Sequence, residues 1–277
     1  MRFNSTVSSG FLFSQPMRLS YGQYCRYLNV LTPSAFVCPL LTLYLPPRVN
    51  KRLITSIFTP MRNAFHDELD AITQSLVDMA QLVKKATADA TTALLTADLS
   101  LAEKVIAQDD VIDSMQHELD AKTMTLLATQ QPVASDLRVL VTSLRMSADL
   151  ERMGDMAHHI SKLARMRHPG TAVPSEASLT IEEMGRVTCL IIDKVSKIIG
   201  SRNLEDAKQL AIDDDEVDKL HRKLIQSLVS KDWPHGAESA IDLTLLGRYY
   251  ERSADHAVSI SRRVHYLVTG TYLEDKS

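Results

Sequence analysis

Apolar residues recur at spacings of three and four along the chain from residue 61 to its end. The clearest example is the run formed by Val77, Ala80, Val83, Ala86, Ala90 and Ala93. This spacing places the apolar side chains on one face of an α-helix, where they can pack into a core. The same region contains no convincing alternation of apolar and polar residues of the kind that predicts a strand. The pattern therefore predicts an all-α fold.

Helix-breaking and helix-capping residues divide the first part of this region into three predicted helices. Asp98 suits the N-cap of the second helix, which we expect to run to about Thr129. Pro132 suits the first turn of the third helix, which we expect to end near Arg167.

A further three helices are predicted from the residues that follow. Pro174 predicts the start of a fourth helix and Gly200 predicts its end. Asn203 suits the N-cap of a fifth helix ending near Lys231, and a sixth helix extends to about Gly270. Long helices joined by short connections favour antiparallel bundles.

The two sets of three helices are related in sequence. At an offset of 100, six of the eleven residues in 151–161 are identical to those in 251–261. At an offset of 105, aspartates of the second helix match aspartates of the fifth. We interpret the change of offset as a five-residue deletion in the connection that precedes the sixth helix. The sequence therefore predicts two tandem three-helix bundles, 61–170 and 171–277, related by internal duplication.

Four acidic pairs with i, i+4 spacing lie on the second, third, fifth and sixth predicted helices. They are Asp109 with Asp113, Glu151 with Asp155, Asp214 with Asp218, and Glu251 with Asp255. Each pair shares one helix face, where like charges repel by about 0.2–0.5 kcal/mol. A cation between two pairs on antiparallel helices would reverse this repulsion, and carboxylate oxygens suit magnesium, manganese, iron or zinc. Recurrence in both halves favours two metal sites over the alternative of four solvated helix faces.

Several residues beside the acidic pairs support more than one interpretation. Gly154 lies inside the third helix, where glycine costs about 1 kcal/mol relative to alanine. We expect a close approach there by the neighbouring helix or by a ligand. His158, His159 and His256 are candidate extra ligands, with exposed or capping roles as the alternative.

Two other classes of protein compete with a metal-binding regulator. A ferritin-like carboxylate-bridged enzyme needs Glu-x-x-His groups inside a four-helix bundle. The nearest matches here, Asp155-x-x-His158 and Asp218-x-x-His221, lie in different halves and use aspartate. The chain has no Gly-rich phosphate loop, G-x-S-x-G or H-E-x-x-H motif, so we expect no catalytic activity. A metal-free helical adaptor is the second alternative.

The composition indicates which cellular compartment and which class of partner to expect. A formal charge of -3 and a pI of about 6.3 do not suggest a nucleic-acid-binding protein. Cys25, Cys38 and Cys189 are far apart, which fits a reducing cytoplasm better than a disulfide framework. No uncharged apolar stretch reaches about 18 residues, so we expect no membrane insertion.

Residues 1–60 differ from the rest of the chain. They contain six Lys or Arg and no Asp or Glu, and they hold nine of the fifteen aromatic residues and six of the ten prolines. Subtracting their +6 from the total of -3 leaves -9 for residues 61–277. A targeting segment and a binding arm are two interpretations of this extension. We prefer a third, in which translation begins at Met61 and the preceding residues reflect a misplaced start or a disordered extension.

The chain from residue 61 to residue 270 resembles the PhoU family across that family's full length. The resemblance rests on Met61-Arg62 followed by Phe65 and Leu69, and on the acidic segments around Asp109 and Asp214. It also rests on three longer motifs, QQPVASDLR at 130–138, DLERMGD at 149–155 and ERSADHAVSI at 251–260. Ser253 and Ser259 depart from the residues more common in the family, and residues 1–60 have no family counterpart.

The resemblance implies a function that the residues alone do not. Members of this family are dimeric, six-helix, metal-binding bacterial regulators that restrain phosphate import and the phosphate-starvation response. Their partners are the ATPase subunit of the high-affinity phosphate ABC transporter and the phosphate-responsive sensor histidine kinase. The family's metal motifs correspond to the four acidic pairs described above. The resemblance therefore implies a cytoplasmic homodimer that acts by protein contact.

The native amino terminus tests the start-site prediction. We expect mass spectrometry of the protein from its native host to find Met61, or the residue after it, at the terminus. Peptides from within residues 1–50 would contradict this prediction.

Overall fold

Six α-helices make up nearly all of the part of the chain that the structure describes. This computed structural model describes residues 51–230 and 232–271, with side chains from residue 64 onward. The helices are α1 (Lys51–Thr96), α2 (Leu99–Gln130), α3 (Ala134–Arg167), α4 (Ser175–Ser201), α5 (Leu204–Leu228) and α6 (Gly236–Thr269). No strand occurs within the described ranges, so the predicted all-α fold with six long helices is confirmed.

Three predicted helix ends are confirmed by the capping geometry. The Asp98 side chain accepts a hydrogen bond from the Leu101 backbone N–H at 3.0 Å at the start of α2. The Asn203 side chain accepts one from the Glu205 N–H at 2.9 Å at the start of α5. Gly270 follows α6 with a positive φ of 78°, a conformation that glycine adopts without steric cost.

Three other predicted helix ends are displaced. Pro132 precedes α3, because Val133 is extended and serves as the N-cap. Gly200 lies within α4, and Arg202 adopts the left-handed conformation that ends this helix, with φ 55°. The fifth helix was predicted to end near Lys231, which lies outside the described residues, but α5 ends at Leu228.

The first helix begins at Lys51, upstream of the predicted start at Met61, and continues through Pro60. A proline lacks the N–H donor that a helix interior needs, so continuation through Pro60 was not expected. Residues 1–50 lie outside the described part of the chain, and the start-site prediction stays a prediction. Residues Thr55–Ser277 form one compact unit, which contains every feature discussed below.

Helices α3 and α6 pack against each other and join the two three-helix bundles. They are antiparallel, because Arg167 at the end of α3 pairs with Asp242 at the start of α6. At their other ends, Arg138 of α3 donates to the Leu267 backbone oxygen of α6 at 3.3 Å. Helix α2 packs on α3, and α5 packs on α6, so each bundle contributes one helix to the centre and one beside it.

The change of offset between the two halves arises from a shorter helix and not from a shorter connection. Helix α5 has 25 residues, whereas its counterpart α2 has 32. The segment before α6 is longer than the segment before α3. The interpretation of a deletion in that connection was therefore wrong, because the connection is longer in the second half and the helix before it is shorter.

None of the described helices is both long enough and apolar enough to cross a membrane.

A hydrogen bond between Tyr250 and Thr91 links the second bundle to the first. The Tyr250 ring is fully buried, and its hydroxyl lies 2.8 Å from Thr91 Oγ1 on α1. Burial raises the pKa of the Tyr250 hydroxyl well above its ordinary value, so this group stays neutral and hydrogen-bonded.

We expect Tyr250→Phe to destabilise the protein by about 1 kcal/mol, because it removes one buried hydrogen bond and leaves the ring packing intact. The measurement is urea unfolding followed by circular dichroism. Tyr249→Phe is the matched control, since Tyr249 is partly exposed and its ring stacks on His159. Equal stabilities of the two variants would contradict the role assigned to Tyr250.

Candidate metal centres

The first predicted site brings acidic side chains of α2 and α3 together. Asp109 and Asp113 belong to α2, and Glu151 and Asp155 belong to α3, and all four are partly buried. We call this group the first carboxylate cluster. The side chains of Asp109 and Glu151 are only 12% and 17% exposed, so these are not solvated helix faces. The predicted approach of the two acidic pairs in this half is thus observed.

The carboxylates of the first cluster perturb one another. Burial raises the pKa of Glu151 above its ordinary value, and the charge of Asp155 raises it further. Burial also raises the pKa of Asp109, while a hydrogen bond with His158 Nδ1 acts in the opposite direction. Asp113 contributes to the rise at both groups, so the four carboxylates form one electrostatically coupled set.

Gly154 explains how α2 and α3 approach so closely at this cluster. A Cβ atom at position 154 would lie 3.1 Å from Ile112 Cδ1 and 3.6 Å from Asp109 Oδ1. A larger residue would therefore have to displace the Ile112 side chain of the neighbouring helix, as the expected close approach at this interior glycine implies. The approach serves helix packing and also brings Asp109 toward α3.

The second predicted site places Asp214 and Asp218 of α5 near Glu251 and Asp255 of α6. We call this group the second carboxylate cluster. Burial raises the pKa of Asp214 to about 7, with further contributions from Asp218 and Asp255. Burial also raises the pKa of Asp255, and Glu251 raises it further. In both clusters burial raises the pKa of one aspartate of the outer helix and one acid of the central helix, but that second acid is Glu151 in the first cluster and Asp255 in the second.

A histidine reaches across to a carboxylate in each cluster, but from different positions. In the first cluster, His158 of α3 bonds with Asp109 of α2. In the second, His221 Nδ1 of α5 lies 3.3 Å from a carboxylate oxygen of Glu251 on α6. The Nε2 atom of His158 is buried and has no hydrogen-bond partner among the described residues. The duplicated clusters therefore share their carboxylates and differ in their histidines.

Arginines partly neutralise both clusters. Arg152 Nη1 lies 2.7 Å from an oxygen of Asp155, and Arg248 donates to Glu251. Within the described ranges, no three His, Cys, Asp or Glu side chains are positioned to share one metal ion. The eight predicted ligands fit a hard cation in charge and in donor type. Their role as metal ligands stays a prediction.

Two of the candidate histidine ligands have other contacts. His159 stacks on Tyr249, with ring centroids 5.3 Å apart, and burial lowers its pKa. His256 Nδ1 lies 3.1 Å from Asp149 Oδ1, across the α3–α6 interface. Of the three histidines, only His158 contacts a predicted carboxylate ligand within the described structure.

Sequence reasoning missed the buried acid Asp149. Burial alone would raise the pKa of Asp149, but hydrogen bonds from His256 and from Arg263, at 2.7 Å, lower it below its ordinary value. The sequence does contain a signal for this residue, because Asp149 stands at a position where the helical period predicts an apolar side chain. Gly247 was also missed, although a Cβ there would lie 2.8 Å from His221 Cδ2. Like Gly154, it is an interior glycine where an outer helix contacts its central helix.

The fold and the two clusters define a class of duplicated all-helical proteins with paired carboxylates where the second helix of each bundle contacts the third. The family model described as the PhoU domain matches this chain twice, at residues 76–164 and 181–264. The chain belongs to the PhoU family.

Individual relatives match this chain over nearly their whole length. The phosphate-specific transport system accessory protein PhoU homolog 2 of Mycobacterium tuberculosis is 42% identical over 212 residues, covering 76% of this chain and 100% of the relative. PhoU homolog 1 of Mycobacterium leprae is 42% identical, covering 78% of this chain and 97% of the relative. The chain therefore includes the equivalent of an entire family member.

Solved structures agree with the fold. The crystal structure of PhoU from Pseudomonas aeruginosa superposes with a TM-score of 0.70 at 30% identity, covering 75% of this chain and 100% of that one. The phosphate transport system regulatory protein PhoU from Streptococcus pneumoniae gives a TM-score of 0.68 at 25% identity, with coverages of 76% and 99%. The two-bundle architecture is thus shared with experimentally determined family members.

The pKa of Asp214 predicts a pH dependence of stability in metal-free protein. Because its folded pKa is about 7 and its ordinary value is 3.8, the folded state holds a proton that the unfolded state releases. Stability therefore falls as pH rises from about 4 through 7. Asp214→Asn cannot ionise, so we expect it to be more stable than the wild type at pH 8, by about 1 kcal/mol, and equal to it at pH 4.

Urea unfolding in the presence of a chelator at the two pH values measures this difference. Asp232→Asn is the control, because Asp232 is an exposed aspartate outside both clusters. A gain in stability that is the same at both pH values would exclude ionisation of Asp214 as its cause.

Proposed function

We propose that this protein is a negative regulator of phosphate uptake and of the phosphate-starvation response. In this proposal it is a cytoplasmic homodimer that contacts the ATPase subunit of the phosphate ABC transporter and the phosphate-responsive sensor kinase. The observation that carries the proposal is the match to phosphate-specific transport system accessory proteins, at 42% identity over the whole length of one relative. A regulator that acts by contact requires no catalytic group on its own surface.

The two carboxylate clusters support a metal-dependent version of this function. The residues that would hold the ions are the eight acids of the clusters, and the candidate ions are iron, manganese, magnesium and zinc. A bound cation would supply positive charge where four partly buried carboxylates repel one another. Glu151 and Glu251 would then hold α3 and α6 at a defined distance from α2 and α5.

The carboxylate clusters lie on the same two helices that form the centre of the protein. Helices α3 and α6 carry the Glu-x-x-x-Asp halves of the clusters and also form the interface between the bundles. The spacing of each outer helix from its central helix would therefore be set by the ions. The surface that the partners recognise would depend on that spacing.

A metal-free helical adaptor is the second candidate function. It is favoured by the ion pairs of Arg152 with Asp155 and of Arg248 with Glu251, which already neutralise part of each cluster. It keeps the same protein partners and assigns the acids a structural role. A carboxylate-bridged enzyme is less well supported, because His221 contacts Glu251 and lies in a different cluster from His158.

Metal content distinguishes the first two candidates. We expect protein purified without chelators to contain stoichiometric metal, measured by inductively coupled plasma mass spectrometry. Glu151→Ala/Asp155→Ala should lower this content by about half, because one of two clusters loses two of its four carboxylates. Asp67→Ala/Asp70→Ala is the matched control, since it removes two exposed acids of α1.

A phosphate-starvation reporter tests the regulatory consequence in the same variants. Repression should weaken in Glu151→Ala/Asp155→Ala and remain in the control, with circular dichroism confirming that both variants are folded. Metal-free wild-type protein would favour the adaptor. Full metal loss with unchanged reporter output would separate metal binding from regulation and contradict the metal-dependent version.

A further inference from the structure

A small cavity lies between the central helices α3 and α6. Its volume is about 100 Å³, and its lining residues are Val141, Thr142 and Arg145 of α3 and Arg263 and Tyr266 of α6. One water molecule occupies about 30 Å³ in the liquid, so this cavity has room for a compact ion. We call it the basic pocket. None of its lining residues belongs to a carboxylate cluster.

Two arginines of the basic pocket have hydrogen-bond donors that no other described residue accepts. Arg145 is exposed and forms neither a hydrogen bond nor an ion pair with another residue of the described ranges. The Arg263 side chain is 24% exposed and donates through Nε to Asp149 Oδ2 at 2.7 Å. Because a guanidinium has five N–H donors, most of those on Arg263 remain available to a ligand.

Thr142 adds a buried hydroxyl that has no partner in the described part of the chain. The residue is only 3% exposed and lines the basic pocket. Other buried threonines, such as Thr87 and Thr91, donate to the backbone oxygen four residues before them, but Thr142 does not. Since buried polar groups normally have a hydrogen-bond partner, a molecule in the basic pocket is the partner that remains for Thr142.

The charge at the basic pocket is positive. One carboxylate, Asp149, pairs with Arg263, whereas Arg145 has no carboxylate partner within the described ranges. Beside the pocket, Arg138 lies over the Tyr266 ring, with its guanidinium carbon 5.6 Å from the ring centroid. Arg138 donates to a backbone oxygen and pairs with no described carboxylate. A positive site with a hydroxyl group favours an anion over a neutral molecule.

The opposite end of the same helix pair contains a carboxylate where the basic pocket contains Thr142. There Arg167 of α3 binds Asp242 through Nε at 2.6 Å and through Nη2 at 3.1 Å. At the offset of 100 that relates the two halves, Asp242 corresponds to Thr142. The chain thus supplies its own oxygen ligands to an arginine at one end. At the other end, an external oxyanion can supply them.

We propose that the basic pocket binds inorganic phosphate. Arg145 and Arg263 donate to its oxygens, since guanidinium groups bind phosphate through paired N–H donors. The Thr142 hydroxyl donates to an oxygen or accepts from the O–H of hydrogenphosphate, which sulfate lacks. The small cavity favours a free anion over a phosphate ester, whose other groups would lie outside it. The choice of phosphate also rests on the proposed function, because that function concerns phosphate uptake.

Isothermal titration calorimetry of the full chain measures this binding. A chelator keeps the carboxylate clusters free of metal, and constant ionic strength keeps the screening of charges the same. Arg145→Gln should weaken phosphate binding by at least about tenfold, because a charge-assisted hydrogen bond is lost. Arg165→Gln is the matched control, since it makes the same change at an exposed arginine near the other end of α3.

Thr142→Val distinguishes a ligand contact from a structural role. It should lower phosphate affinity by about fivefold, because one hydrogen bond to the ligand is lost. Stability without phosphate, measured by urea unfolding, should not fall, because the hydroxyl has no partner in the described structure to lose. Thr188→Val is the matched control, since Thr188 is a buried threonine of α4 whose hydroxyl also lacks a described partner and which lies outside the basic pocket.

Sulfate and AMP test the identity of the ligand in the same assay. Both should bind more weakly than inorganic phosphate. Tighter binding of AMP would overturn the assignment to a free anion, because the phosphate group would then belong to a larger molecule. Sulfate binding as tight as phosphate binding would overturn the assignment to phosphate.

The remaining outcomes separate this inference from the proposed function. Equal phosphate affinities of the wild type and Arg145→Gln would overturn the phosphate site, and so would equal losses in Arg145→Gln and Arg165→Gln, which would reflect overall charge. Absence of phosphate binding by the folded wild type would overturn the site and leave the proposed function standing, since regulation by contact does not require it. Phosphate binding by a protein that does not repress the phosphate-starvation reporter would contradict the proposed function alone.

Discussion

The packing of α3 against α6 is the interaction on which the rest of this structure depends. Each of these helices packs against the other, against the core of its own bundle, and against the helix that carries the aspartate pair of its cluster. Their contact buries Asp149 with His256 and Arg263, and it joins the two bundles together with contacts of α1 such as the hydrogen bond between Thr91 and Tyr250. Because both central helices also carry cluster residues, the helix spacing at each cluster and the bundle interface are mechanically connected.

Each outer helix meets its central helix under electrostatic strain. Carboxylates on both sides raise one another's pKa values, and burial together with the neighbouring acids raises the pKa of Asp214 to about 7. Histidines and arginines relieve part of this repulsion, but not at equivalent positions in the two halves. Interior glycines at 154 and 247 allow the close helix approach that creates the repulsion. Bound cations, as proposed above, would relieve this repulsion.

Duplication preserved the scaffold and the carboxylates, while the ends of the central helix pair diverged. One end contains an ion pair between Arg167 and Asp242, and at the equivalent end Thr142 stands in the place of Asp242. The scaffold requires helix packing at both ends, but it does not require the same charges there. A duplicated protein can thus keep two similar carboxylate clusters and still carry different charges at the two ends of its central helix pair.

The sequence by itself determined the features that depend on local spacing. Helix number, the Asp98 and Asn203 caps, the duplication and the placement of acids on helix faces follow from neighbours within one or two turns. It misplaced the ends at Pro132 and Gly200, because the residue that leaves the helical conformation depends on the whole connection. Only the tertiary structure decided which histidine meets which carboxylate, how far burial raises the pKa of Asp214, and that Arg167 pairs with Asp242. Those properties arise where side chains distant in sequence meet, and helical periodicity carries no information about such pairings.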